Sequence, residues 1–266
     1  MTCSTRMLVL AGLAALVCST AVADEAVRIV CFGDSVTKAV RPGVEPHETF
    51  GAVLEQTLND AGRTVRVFNA GVGGNTTTQG LARLQRDVLD RKPHYVVVMF
   101  GLNDSWVDSG RSESRVSIDD YRANLRTMIA QLRGQGASTV LMTPNPAIAP
   151  KYPPHRNVTL KGYVEAVRDV ARAELVPLVD VYRRFAELGI EGADLNALFT
   201  DAMHPNPAGQ RMIAEMLSAR FDGLLAEREH ALAACATTAL PGAPFCASRR
   251  FVGHRIGRRR AGWSRR

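Results

Sequence analysis

From residue 27 onward, short runs that are apolar on both faces alternate with longer stretches in which apolar residues recur every three or four positions. The short runs are Val27–Phe32, Val65–Asn69, Tyr95–Phe100, Thr139–Thr143 and Leu178–Val181. Each is about five residues long, rich in β-branched side chains and bounded by turn residues, the signature of a parallel strand covered on both sides. The longer stretches are Thr49–Asn59, Gln79–Asp90, Ile118–Leu132, Leu160–Leu175 and a last helix after Asn206-Pro207. In that last helix Ile213, Met216, Leu217 and Phe221 share one face, and Pro207 sits just inside the start, where its missing N–H costs nothing. The alternation predicts an α/β fold: a parallel five-stranded sheet with helices on both faces, joined by right-handed crossovers. In such folds ligands bind beyond the carboxyl ends of the strands.

Composition changes this picture only at the two ends. The chain has 266 residues, of which 46% are hydrophobic and 22% charged, ordinary globular values. Its net charge of +7 is carried by residues 249–266, which hold eight arginines and no acid. The fold itself is nearly neutral, which argues against a nucleic-acid partner, since such a domain carries its basic patch on the folded surface. At the other end, Arg6, the apolar run Met7–Val17 and the small residues of Ala21-Val22-Ala23 form the pattern of a cleaved signal peptide. The run is too short to span a bilayer. The expected organisation is a signal peptide (1–23), one folded domain (24–225) and a flexible arginine-rich tail (226–266) that offers little apolar surface to offset ordering entropy. The mature protein is then secreted or periplasmic, and its tail is suited to an anionic surface. Cys31 falls in the first strand and reads as a buried thiol. Cys235 and Cys246 are compatible with a disulfide in an oxidising compartment and equally with two unpaired thiols. No cysteine or histidine spacing suggests a metal site.

Four polar clusters fall at strand ends or before the last helix. Gly33-Asp34-Ser35 follows the first strand. There the glycine permits a tight turn, and the serine is either a helix cap or a nucleophile. Asn69-Ala70-Gly71-Val72-Gly73-Gly74-Asn75-Thr76 follows the second. Its glycines bring backbone amides close to a ligand, but it has neither the P-loop lysine nor the dinucleotide spacing. Gly101-Leu102-Asn103-Asp104 follows the third, with an asparagine able to donate to a developing oxyanion. Asp201-Ala202-Met203-His204-Pro205-Asn206 precedes the last helix, and its spacing lets a carboxylate reach an imidazole and set its tautomer. Each cluster alone has a plain structural reading as a cap or a turn.

Together and in this order, "GDS" at 33–35, "NAGVGGNTT" at 69–77, "GLND" at 101–104 and "DAMHPN" at 201–206, the chain resembles the SGNH hydrolases, also called the GDSL esterase/lipase family, over roughly residues 27–222. The resemblance implies a three-layer α/β/α, flavodoxin-like fold and a serine ester hydrolase. It implies Ser35 as nucleophile, His204 as general base and Asp201 as the group that orients it. The implied oxyanion hole is the Ser35 amide, the Gly74 amide and the Asn103 side chain, with Gly73 the alternative by one residue of register. It implies no cofactor and no metal. Val36 stands where the family name has leucine, a packing difference only. Within this class the expected substrates are small-molecule or carbohydrate esters with short acyl chains, such as O-acetyl groups. Lysophospholipid or thioester hydrolysis belongs to the same class. A glycan-binding or acetyl-transferring protein on the same fold is the alternative from another class, because fold alone does not settle function.

Overall fold

The structure, a computed structural model, describes residues 26–148 and 154–238. The leader, the arginine-rich segment, Cys246 and the side chain of Cys235 lie outside the described residues. The five apolar runs form β1 (Val27–Gly33), β2 (Val65–Gly71), β3 (Tyr95–Met99), β4 (Ser138–Met142) and β5 (Leu178–Val179). All pairings are parallel, in the order β2-β1-β3-β4-β5. The expected three-layer α/β/α arrangement and flavodoxin-like strand order are present.

Side chains alternate across a strand, and this divides the core in two. Ile29, Cys31, Val97, Met99 and Val140 face one side, where they join Phe50 and Leu54 of α2 (Phe50–Asp60) and Ile213, Leu217 and Phe221 of α7 (Pro207–Thr238). Val30, Phe32, Val96, Val98 and Leu141 face the other, with Leu84 of α3 (Thr77–Asp87), Leu125 and Met128 of α4 (Ile118–Gly134) and Val167 of α5 (Pro154–Glu174). The central strand β3 is buried along its whole length and is an unbroken apolar run, whereas Arg28 interrupts β1 near its start and Arg66 and Asn69 interrupt the edge strand β2.

Three details differ from the sequence-based expectation. Val181 does not continue β5 but opens α6 (Val181–Ile190). Asp180 caps that helix by accepting from the Arg183 N–H at 3.1 Å and pairs with Arg168 at 2.8 Å, a structural role. The helix α5 begins at Pro154, ahead of the start expected at Leu160, so His155 and Arg156 are helical. Finally, α7 runs 32 residues to Thr238 and crosses the boundary expected at 225. Residues 224–238 are mostly Leu, Ala, Glu and Arg, which are strong helix formers.

The two ends of α7 lie at opposite edges of the sheet. It starts three residues after His204, at the carboxyl edge. Further along, the Tyr95 hydroxyl donates to the Leu224 carbonyl at 3.1 Å, and Arg63 pairs with Glu229. Tyr95 opens β3 and Arg63 precedes β2, so α7 runs antiparallel to the strands and ends beyond their amino edge. Among the described residues no helix is long and apolar enough to cross a membrane.

Candidate active site

The chain leaves β1 toward β2 on one side and reaches β3 on the other, so the carboxyl ends of β1 and β3 border the topological switch point. Gly33 ends β1 there. A Cβ on it would lie 2.1 Å from the Thr37 hydroxyl oxygen and 2.3 Å from the Met99 carbonyl, so only glycine fits. Asp34 then caps α1 (Ser35–Lys38), with Oδ1 accepting the Val36 N–H at 2.9 Å. The cap is therefore Asp34, and Ser35 is left with its hydroxyl free for another partner.

That partner is His204. The Ser35 hydroxyl lies 2.9 Å from His204 Nε2, and His204 Nδ1 lies 2.7 Å from Asp201 Oδ2. The Asp201 carboxylate also accepts the backbone N–H groups of Met203 and His204 at 2.8 and 2.9 Å, which curls the segment so that a spacing of three closes the pair. The segment is anchored on both sides. Asn145 donates to the Met203 carbonyl at 2.8 Å, and the Thr200 N–H donates to the His204 carbonyl at 2.9 Å. Asn206 caps α7 through the N–H groups of Ala208 and Gly209. With the Asp201 carboxylate accepting from Nδ1–H, Nε2 is the ring's acceptor and faces the serine O–H.

The second and third clusters close in from the other side. Gly74 has φ 78°, a left-handed conformation that strains any residue with a Cβ. A Cβ on the preceding Gly73 would lie 3.9 Å from that of Ser35, so this loop passes directly beside the serine. Asn103 Nδ2 donates to the Asn75 carbonyl at 3.1 Å and to Asp34 Oδ2 at 3.3 Å, linking the first three clusters. Asp104 accepts from the Thr77 N–H and hydroxyl at the start of α3.

Two arginines also belong to the site, and the sequence reading missed both. Arg83 is buried under the loops. It donates to the carbonyls of Gly33 and Ala70 at 2.8 Å each and to Asn75 Oδ1 at 2.7 Å, with its guanidinium over the Phe32 ring. Arg41 reaches from the turn after α1 to Asp201. A charged residue inside the apolar stripe of α3 was a visible signal for Arg83; nothing in the pattern marks Arg41.

Electrostatics sets the groups apart. Burial holds the His204 imidazole below its ordinary value, against the Asp201 hydrogen bond that favours the cation. Asp201 is drawn upward by burial, but the Met203 N–H, the imidazole and the His204 N–H outweigh this and keep it below the usual carboxylate range. Burial pushes Asp34 up to about 7 and Asp104 up to about 6. The site thus pairs an ionised acid with a neutral imidazole, the protonation states in which an imidazole can take a serine proton. Among the described residues no three His, Cys, Asp or Glu side chains converge as a metal site.

Residues 31–212 match the model of the GDSL-like lipase/acylhydrolase family. Esterase TesA of Pseudomonas aeruginosa is 30% identical over 210 residues, covering 79% of this chain and 94% of its own. An acetylxylan esterase of Geobacillus stearothermophilus is 29% identical over 201 residues, covering 70% and 90%. The crystal structure of a lipase/acylhydrolase from Enterococcus faecalis superposes with a TM-score of 0.62 at 28% identity, over 74% of this chain and 95% of that one. With the matched span enclosing all four clusters, the chain belongs to the GDSL-like lipase/acylhydrolase family and is a carboxylic ester hydrolase.

Proposed function

We propose that Ser35 is the nucleophile, His204 the general base and Asp201 the group that holds the imidazole in its working tautomer. The observation that carries this reading is the line of contacts from Ser35 Oγ to His204 Nε2, 2.9 Å, and from His204 Nδ1 to Asp201 Oδ2, 2.7 Å. Ser35 attacks the ester carbonyl as His204 takes its proton. The N–H groups of Ser35 and Gly74 and the Asn103 amide hold the tetrahedral oxyanion. His204 gives the proton to the departing alcohol, and a water activated by the same imidazole then cleaves the acyl-enzyme. The Asn103 bond to Asp34 is the longer of its two and is the one the oxyanion displaces or shares.

The substrates in this reading are short-chain esters, with O-acetyl groups on carbohydrate as the first choice. Support comes from relatives named acetylxylan esterase in two bacteria and isoamyl acetate-hydrolyzing esterase in mammals. The protein is exported: its leader pattern supports this, and a relative in Bacillus subtilis is named as a lipoprotein.

The deciding experiment is turnover of p-nitrophenyl acetate by residues 24–266, with Ser35→Ala alongside and folding checked by circular dichroism. Activity lost only in the variant establishes the acyl-enzyme route. Equal rates in both overturn it. A chain-length series of p-nitrophenyl esters then tests the substrate: kcat/KM rising beyond about eight carbons, where each added CH₂ offers about 0.8 kcal/mol of burial, would point to lipid instead.

A further inference from the structure

Arg41 lies six residues after the serine, and its guanidinium points in three directions at once. Nη2 donates to the carbonyl of Ser35 itself at 3.1 Å. Nε donates to the carbonyl of Ala39 at 3.1 Å. Nη1 forms an ion pair with Asp201 Oδ2 at 3.6 Å, the same oxygen that accepts from His204 Nδ1. The Arg41 side chain is 18% exposed and that of Asp201 51%, so the two carbonyl contacts are sheltered while solvent reaches the ion pair from the Asp201 side. The turn it braces is itself under tension. Ala39 has φ 58°, in the left-handed region that disfavours a residue with a Cβ, and its N–H also donates to the Ser35 carbonyl, at 3.0 Å.

The nucleophile and the acid–base pair come from segments more than 160 residues apart in the chain. Arg41 is a direct link between them. We propose that Arg41 is a positioning residue for acyl transfer, a strut that holds the Asp201–His204 segment at its working distance from Ser35. This rests on Ser35 and His204 being the nucleophile and base. Three divergent contacts explain why an arginine stands here: its planar fork serves a carboxylate and two carbonyls together, which a single ammonium does not.

The same contact has an electrostatic consequence. The charged groups that bear on the imidazole are Asp201 from its own segment and Arg41 from the turn after α1. Burial is the largest influence against the imidazolium, Asp201 favours it, and the Arg41 charge opposes it. Removing Arg41 therefore makes His204 easier to protonate.

The test compares wild type, Arg41→Gln and Arg41→Lys in p-nitrophenyl acetate hydrolysis across pH, with Ser35→Ala alongside. For Arg41→Gln the expected result is a kcat lowered about tenfold, the scale of one lost charge-assisted hydrogen bond, with KM little changed and the acid limb of kcat/KM moved to higher pH. Arg41→Lys keeps the acid limb near wild type but not the full kcat. A folded Arg41→Gln with the wild-type acid limb overturns the proposal, whatever its rate, because loss without a shift is only structural damage. If Arg41→Gln does not fold, Arg41→Lys decides: a wild-type kcat overturns the strut. Wild-type activity in Ser35→Ala would instead remove the underlying assignment of the nucleophile, so the two failures are separable.

Discussion

Asp34 and Asn103 are joined by a hydrogen bond, Oδ2 to Nδ2 at 3.3 Å, that ties the residue before the serine to the proposed oxyanion donor. The Asp34 carboxyl is held in a buried place, and burial raises it to about 7 although the Val36 N–H and Asn103 pull the other way. Its folded value lies above the unfolded one, so the native state binds the proton more tightly. The stability it contributes is full below about pH 4, the unfolded value, and is lost as pH rises to about 7. Asp34→Asn should therefore gain on wild type as pH rises from about 4 to about 7, by at most ~1.4 kcal/mol per pH unit, and hold that gain above it. Urea unfolding at several pH values measures this; a difference that stays flat with pH would show that Asp34 ionises normally.

The imidazole of His204 carries the opposite sign. Burial keeps it below its ordinary value, so the neutral base survives to lower pH than in an exposed histidine. The acid limb of kcat/KM should fall below pH 6.5, the ordinary histidine value. Asp201→Asn removes the acceptor that selects the tautomer and should lower kcat by about 10³–10⁴. Steady-state kinetics between pH 4.5 and pH 9 reads both effects, and a variant that keeps the wild-type kcat would dismiss the assigned role.

Asn103→Ala should leave the fold in place and reduce kcat by about 10²–10³, with KM changed far less, the pattern of a donor that acts mainly on the transition state. A comparable rise in KM with kcat intact would mean that Asn103 binds ground-state substrate instead.

Arg83 ties three backbone and side-chain oxygens of the first two motif loops from below. Arg83→Met has nearly the right length but leaves the Gly33 and Ala70 carbonyls without that donor. The expected loss is about 2–3 kcal/mol. Thermal unfolding should show it as a lower Tm, roughly 2–4 °C per kcal/mol for a domain of this size. An unchanged Tm would mean that water replaces the guanidinium without cost.

How much of this was legible depends on the kind of signal. The strands were readable because a buried parallel strand is apolar on both faces, as in Ile29–Phe32 and Tyr95–Phe100. The motif residues were readable because chemistry needs those types at those strand ends. The helix α6 was not, since Val181 and Phe185 are its only fully buried apolar residues among polar neighbours, and Val181 also suits a strand. The polar residues His155, Arg156 and Asn157 at the start of α5 hid the first turn of that helix. Arg83 was marked only by its place in the apolar stripe of α3, and Arg41 by nothing, for a deeper reason. An arginine in sequence resembles solvated surface, and only the folded backbone shows which carbonyls it can reach.

The course of α7 has a practical result. The helix starts beside His204 and ends past the amino edge of the sheet, near Arg63 and Tyr95, and β1 begins with Val27 at that same edge. Both ends of the described domain therefore emerge at the pole opposite Ser35. An enzyme fixed to a bead, a membrane or a wall through either end would present its mouth outward. A tether joined at Val27 or at the end of α7 would leave from that pole, away from the Ser35 side.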